Sequence, residues 1–472
     1  MTDTQMYARV LANDASYNGR FFTGVLTTGI YCLPACRARK PKPGNVRFFP
    51  TVEAARDAGL RACKKCHPDD FARGADPVLE AIETVVAEVR ANPGDFADVR
   101  SIVRRSGFGA TRVFELFRQH YHTTPADLLL RARLAATKFQ LINTRFPLSR
   151  IALEAGFEAL SVFHENFRHL NGLTPTAYRD LAETKNFTVA LPVGYLLPYL
   201  RRALSRDIHS VTERLVGNIY TVVAQLSDGP SLLTLQLASD SIGVEIAQGS
   251  TPEAHALVIG LLGLDEDAAA FARLARKLGL GRLVAGRSEL RISQTPSVFD
   301  GLLWAIIGQQ INFAFACLLK RRLIQRTSVV FADGLYAPPT PAAVAALQVE
   351  DLLPLQFSRS KANYVISTAR LIVQGKLDLA ALRPMSATRA ERALLAIHGL
   401  GPWSVNYIMM RALGLPDCVP LGDTGVTSGL LALLKLEERP DIDATRRLMT
   451  VFSPYRSLAT THLWQFNQPI PT

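Results

Sequence analysis

A multidomain chain, mainly helical with a shorter α+β stretch and a small metal-binding module at its start, is the fold class that the 472 residues predict. Three observations carry the expectation. Four of the six cysteines fall within the first 66 residues as two close pairs. Helical apolar spacing with glycine-bearing turns recurs twice between about residues 77 and 180. Short alternating runs such as NIYTVVAQL and LLTLQLA then fill about 187 to 250, before the pattern turns helical again as far as Trp464. Length alone points to about three domains, at roughly 100 to 200 residues each.

The cysteines come first. Cys32 and Cys36 stand in YCLPAC, Cys63 and Cys66 in RACKKCHPDD, and a short helix is expected over TVEAARDAGL between them. A C-x3-C followed by a C-x2-C is the spacing with which two turns present four thiolates to one tetrahedral zinc. Two disulfides would need an oxidising compartment, yet MTDTQMYARV has no apolar leader and no stretch reads as a clean membrane span, so a cytosolic protein is expected. The net charge of +12 and pI near 9.6 favour an acidic partner, nucleic acid first. That charge is spread along the chain, with an excess of +7 to residue 180 and +5 beyond.

The ordered motifs TTGIYC, CRAR, NVRFFP and CKKC resemble the N-terminal domain of the Ada family of bacterial alkylation-response proteins, over about residues 1 to 74. The resemblance implies that Cys32 is at once a zinc ligand and the acceptor of a methyl group from a DNA methylphosphotriester, with Cys36, Cys63 and Cys66 completing the site. It also implies phosphate contacts from Thr28, Arg39 and Arg61. Leu33 and Ala35 depart from the polar residues usual between the first two cysteines. A thiol redox sensor is the competing reading of the same four sulfurs.

Residues 75–183 carry VRSIVRRSGFGATRVFELFRQHYHTTPADLL and then SRIALEAGFEALSVFHENFRHLNGLTPTAYRDL. Each has a helix, a glycine turn, a Phe-bearing second helix and a Thr-Pro start for the next. This resembles the AraC family of transcriptional regulators, whose paired helix-turn-helix units lie along one face of DNA. On that pattern Thr111 and Arg112, with Glu115, and then Ser161 and His164 stand where DNA would be met, while Phe114, Phe117, Phe163 and Phe167 are expected in the core. RNA polymerase is the further partner such a regulator implies.

In the second half, residues 184–295 read as α+β and 296–472 as all-helical. LLAIHGLGPWSVNYIMMRALG gives two helices joined by a glycine turn, where Gly399 and Gly401 would let backbone amides approach a phosphate. With WAIIGQQIN upstream and PLGDTGV and PYRSLATTHLW downstream, the stretch from about 187 to 470 resembles helix-hairpin-helix DNA glycosylases of the AlkA type. The resemblance implies Asp423 as the catalytic carboxylate, Trp403, Tyr407 and Trp464 as walls of the pocket for a flipped base, and Gln310 at the position of a wedge into the gap. DTGV also reads as a helix start capped by Asp423. Trp403 stands where lyase-competent relatives carry a Schiff-base lysine, so base release without strand cleavage is expected. The Pro-Cys-His-Arg motif of a second methyl acceptor is absent, and Cys317 and Cys418 read as packing residues.

The combined expectation is a sensor of alkylated DNA and regulator of promoters, fused to a glycosylase that excises bases such as 3-methyladenine. Double-stranded DNA is its partner, zinc its metal, and neither a small-molecule cofactor nor a membrane is implied. The alternative is a DNA-binding activator whose glycosylase-like half is catalytically silent.

Overall fold

The computed structural model describes residues 1–14, 17–74 and 76–471. By compactness it divides into two units, one of residues 1–88 with 103–108, the other of residues 89–102 with 109–472.

In the first unit a four-stranded sheet runs in the order Val46–Phe49, Phe22–Val25, Ile30–Cys32, Arg61–Ala62. The last two strands pair in parallel, Ile30 with Arg61 and Tyr31 with Ala62. The helix Val52–Asp57, capped by the Thr51 side chain on the Ala54 amide, lies within the TVEAARDAGL stretch that the sequence reads as helical. Phe22, Tyr31, Leu33, Phe49, Val52 and Ala55 form its small core. So small a core stabilises a fold only weakly without a further cross-link.

The second unit holds the second helix-turn-helix candidate, most of the first, and everything after them, while residues 103–108 of the first candidate fall in the first unit. The helices Val99–Ser106 and Ala110–Tyr121 form the first pair, Leu148–Glu154 and Leu160–Asn171 the second, and Pro125–Asn143 lies between the pairs. Both Thr-Pro signals start helices: Thr124 accepts from the Asp127 amide and Thr174 from the Ala177 amide. Phe117, Phe163 and Phe167 are fully buried as expected. Phe114 is not. At 38 % exposed it lies on the outer face of its helix, because Val113, Leu116 and Phe117 already fill the inward stripe.

Five antiparallel strands follow in the order Asn186–Ala190, Ser241–Ile246, Gly229–Leu237, Ile219–Leu226, Glu213–Val216, with the helix Leu197–Leu204 between the first and second in sequence. Their inward residues do not form a separate core. Phe187, Val189, Tyr220, Leu233, Leu235 and Val244 pack in one continuous cluster with Phe163, Phe167, Leu173, Tyr178 and Leu181 of the second helix-turn-helix unit. His255, fully buried, completes that seam by bonding the Asn171 carbonyl through Nε2 at 2.8 Å and standing edge-on to Tyr178. Beyond residue 265 the chain is helical except for the small strand pair Val330–Ala332 with Leu335–Tyr336, which the apolar pattern did not distinguish from a loop. A second large core gathers the helices from Ala268 to Phe466.

Two histidines in these cores predict an acid response. Burial lowers His255 to about 4 and His462 to about 3, and each keeps one ring nitrogen without a hydrogen-bond partner among the described residues. Both are therefore neutral when folded, whereas the unfolded chain takes up the protons near pH 6.5. Their contribution is fully present above that pH and is lost as pH falls toward 4 and 3. A drop of several kcal/mol, on the order of one pKa-unit equivalent of about 1.4 kcal/mol per unit of depression, is expected in urea unfolding between pH 7 and 4. Replacing both with glutamine should flatten that slope.

Candidate functional site

The four N-terminal sulfurs converge for a topological reason. Cys32 ends one strand and Cys63 follows the strand parallel to it, with the Cys63 amide bonded to the Tyr31 carbonyl at 3.0 Å. Cys36 returns through a turn closed onto the Leu33 carbonyl, and Cys66 lies one short loop beyond Cys63. All four Sγ atoms lie within 4.8 Å of one another, and Cys36 and Cys63 are 4.0 Å apart. A tetrahedron of thiolates at about 2.3 Å from zinc has edges of about 3.8 Å, so the set fits the ion. The amides of Leu33 and Lys65 point at the sulfurs of Cys66 and Cys63, each at 3.4 Å. Hydrogen bonding to Cys36 raises the Cys32 thiol; bonding to Cys32 lowers Cys36 to about 7, lowers Cys63 further and raises Cys66. Sulfurs this close cannot all ionise without a cation among them. None is in a disulfide. Zinc is the cofactor these residues hold.

Behind the cysteines, the buried Tyr31 hydroxyl bonds Asp69 and receives Arg56 Nε, and Arg56 pairs with Asp69 at 2.6 Å. Thr28, Arg39 and Arg61 are all exposed. Among the four ligands Cys66 is the more open, while Cys32, Cys36 and Cys63 are each buried, so accessibility does not single out Cys32.

In the helix-turn-helix units, Thr111 and Ser161 are exposed in the first turns of their second helices, and His164 is half-buried against Phe163. Arg112 is paired with Glu115 at 3.1 Å, so DNA would have to compete for it. Neither helix has a side-chain cap, since Gly109 and Ala159 occupy the N-cap positions.

The C-terminal half brings Asp423, Trp403, Tyr407 and Trp464 together around one cavity of about 530 Å³. Asp423 caps the helix Thr424–Leu434, accepting from the Val426 amide at 3.0 Å. Its two oxygens also receive both tryptophans: Trp464 Nε1 donates to Oδ1 at 2.8 Å and Trp403 Nε1 to Oδ2 at 3.1 Å. Capping and a site role therefore coexist on one carboxylate. Trp403 stacks on Tyr407 at 5.5 Å between ring centroids and 19° between planes, and Tyr407 lies 6.3 Å from Trp464. The close approach of Trp464 depends on Gly425, where a Cβ would stand 2.6 Å from Trp464 Cδ1. The loop leading to Asp423 is clamped by Arg456, which grips the buried Asp417 with two bonds of 2.7 and 2.8 Å. That is the place of the arginine in PYRSLATTHLW.

Gly399 and Gly401 lie in the turn between the helices Ala387–Leu395 and Pro402–Arg411. Gly401 is the N-cap of the second, and a Cβ on it would meet nothing within 4 Å. Gly399 has φ +93°, and a Cβ there would fall 2.4 Å from the Tyr364 ring. Gly399→Ala is expected to cost about 2 kcal/mol or more and to displace the turn, read as a lower unfolding midpoint and weaker binding of undamaged duplex. Gln310 is exposed with φ +56°, at the end of the helix Val298–Ile307. Its neighbour Gln309, which sequence reasoning passed over, ties this loop to the hairpin by donating to the Gly399 carbonyl at 2.8 Å and to Ser404 Oγ at 3.0 Å. Lys361 secures it further through the carbonyls of Ile307 and Gln309. Cys317 and Cys418 are buried packing residues.

Comparison with known proteins gives a consistent result along the chain. Residues 5–69 match the metal binding domain of Ada, residues 102–180 a helix-turn-helix domain, and residues 303–454 the HhH-GPD superfamily of base excision DNA repair proteins. A relative from Mycobacterium tuberculosis, described as a probable bifunctional transcriptional activator/DNA repair enzyme AlkA, is 28% identical over 97% of this chain and 95% of its own. A Bacillus subtilis DNA-3-methyladenine glycosylase is 29% identical over 56% of this chain and 90% of its own. The solved 3-methyladenine DNA-glycosylase of Archaeoglobus fulgidus superposes with a TM-score of 0.53 at 21% identity, over 60% of this chain and 98% of that one, and so shares its fold. Among the described residues no helix is long and apolar enough to cross a membrane.

Proposed function

We propose, for a chain that joins an Ada-type metal-binding domain, an AraC-type helix-turn-helix domain and a helix-hairpin-helix base-excision domain, that it couples detection of DNA alkylation to removal of alkylated bases. The observation that carries the catalytic part is the carboxylate of Asp423, fixed by two indole N–H groups in the wall of an aromatic cavity. Release of a base leaves positive charge on the sugar, and a fixed carboxylate beside it stabilises that charge without reorganising. A flipped base enters the cavity that Trp403, Tyr407 and Trp464 line, while Gly399, Gly401 and Gln310 meet the DNA strand around the gap. Trp403 offers no amine for a Schiff base, so release proceeds by hydrolysis and leaves the strand intact.

At the other end, Cys36, Cys63 and Cys66 hold zinc with Cys32, and bound zinc keeps the sulfurs as thiolates. Cys32 Sγ attacks the methyl carbon of a methylphosphotriester. The S–C bond forms as the C–O bond breaks, and the electron pair stays on the phosphate oxygen. Thr28, Arg39 and Arg61 orient the phosphate. The product thioether carries one negative charge fewer, so affinity for DNA rises and Thr111, Arg112, Ser161 and His164 engage a promoter. Recruitment of RNA polymerase would complete the response. The segments 1–74, 75–183, 184–295 and 296–472 are the working division of these roles.

Two measurements test this reading. Incubation with methylated duplex should yield free 3-methyladenine, and peptide mass spectrometry should find one methyl group on Cys32. Base release without a methylated cysteine would reduce the N-terminal module to a structural zinc site; a methylated cysteine without base release would favour the silent-glycosylase alternative.

A further inference from the structure

The helix Ala110–Tyr121, second of the first helix-turn-helix pair, has two differently committed ends. At its start Thr111 is exposed and Arg112 half-buried, where DNA is expected. At its close three successive residues are tied to the base-excision half, which lies in the same unit. His120, 5 % exposed, bonds Thr388 Oγ1 through Nδ1 at 2.8 Å, and Thr388 stands in the first turn of the helix Ala387–Leu395 that leads into the Gly399 turn. The buried Tyr121 ring lies 5.5 Å from the Arg90 guanidinium, and Arg90 donates to the Pro384 carbonyl ahead of that helix. His122 caps the end with φ +54° and sets Nδ1 3.9 Å from Cys418 Sγ.

Cys418 lies five residues before Asp423. The rest of this stretch is held from within the base-excision half: Asp417 by Arg456, the Cys418 amide by Ser457 Oγ at 3.0 Å and the Val419 amide by Asn406 Oδ1 at 3.2 Å. Asn406 belongs to the helix that carries Trp403 and Tyr407. A shift at Cys418 therefore passes along the chain to the carboxylate and across to the aromatic wall. His122 and Cys418 face each other uncharged. Burial lowers His122 to about 4, with Arg456 and His120 acting in the same direction against Asp417, and burial pushes the Cys418 thiol up. What His122 supplies is shape and a hydrogen-bonding nitrogen rather than charge.

We propose that His122, at the end of the helix with which the regulator would read DNA, is a positioning residue for base release: with His120 it makes that helix a wall of the base-excision domain and sets the loop that presents Asp423. The proposal rests on the glycosylase reading and adds to it a contribution from the helix-turn-helix domain. A reacting group misplaced by about 1 Å can cost on the order of a hundredfold in rate, so a partial slackening of the loop is measurable.

The left-handed backbone at His122 shapes the test. Glycine there keeps the helix end while deleting the side chain, and asparagine tolerates the same conformation while returning a polar atom near the place of Nδ1. Single-turnover release of 3-methyladenine from methylated duplex is measured over a range of enzyme concentrations for the full chain, His122→Gly and His122→Asn. At saturating enzyme the limiting rate is independent of the folded fraction, so loss of fold alone appears as a raised half-saturating concentration. In His122→Gly the limiting rate should fall about tenfold at an unchanged half-saturating concentration, while His122→Asn stays within about threefold of the parent. Thr388→Val, which removes the partner of His120 from the other side, should lower the limiting rate in the same way and by less. A limiting rate in His122→Gly within about twofold of the parent, or a loss shared equally by His122→Asn, overturns the positioning role and leaves the glycosylase standing. No release by the intact protein overturns the glycosylase reading, and the proposal with it.

Discussion

Asp423→Asn should reduce base release by at least about a hundredfold in single-turnover assays while leaving the protein folded. The two halves of that expectation have separate causes. Asparagine is a good helix cap, so the bond to the Val426 amide survives and the helix Thr424–Leu434 keeps its start. The formal charge that would face the developing positive sugar disappears, and removing one such electrostatic partner typically costs two to three orders of magnitude, on the order of 10² to 10³ in rate. There is a structural cost as well. The carboxylate accepts from two indoles, one on each oxygen, whereas an amide has one oxygen and one NH2 group. One of Trp403 and Trp464 would then point a donor at a donor, a loss of roughly 1 to 2 kcal/mol visible in thermal unfolding. Retention of release within threefold of the parent would remove Asp423 from the chemistry.

Zinc removal should have the largest effect on stability, and it should be confined. Structural zinc held by thiolates contributes on the order of 10 kcal/mol or more to folding. The four-stranded sheet has the small cluster around Tyr31, Phe22 and Phe49 to set against that loss. Chelation, or Cys63→Ser, is expected to unfold the sheet from Phe22 to Ala62, seen as loss of amide protection in those peptides. Residues 109–472 have their own large cores, so release of methylated bases should persist. Persistent protection of the Tyr31 and Cys63 amides in metal-free protein would show that the cysteines pack rather than bind.

Much of this architecture is legible in the sequence, and the limit follows a physical line. The cysteine pairs are readable because metal spacing is local, and the Thr124 and Thr174 helix starts because capping acts over three residues. Asp423 reads as a cap for the same reason. That it also receives Trp403 and Trp464 is invisible, since those partners lie 20 and 41 residues away and meet it only through helix packing. Phe114 misled because hydrophobicity names a core candidate without saying that three neighbours already fill the inward stripe. The unpartnered Nε of Arg411 is equally hidden: a basic residue in the last turn of a helix looks like ordinary dipole compensation.

The seam of Phe167, Tyr178 and His255 against the five-stranded sheet bears on genetics. Relatives of either half exist as shorter proteins, among them a Bacillus subtilis activator/DNA repair enzyme AdaA matched over 39% of this chain and the Bacillus glycosylase over 56%. In this chain lesions of the shared seam are not expected to separate the two traits. A missense change such as Phe167→Ala would be scored as a regulatory lesion by its position, yet it would open a cavity in the core on which the repair half also rests. Alleles that break this seam should therefore lose induction and repair together, and halves split at residue 184 should fail to complement.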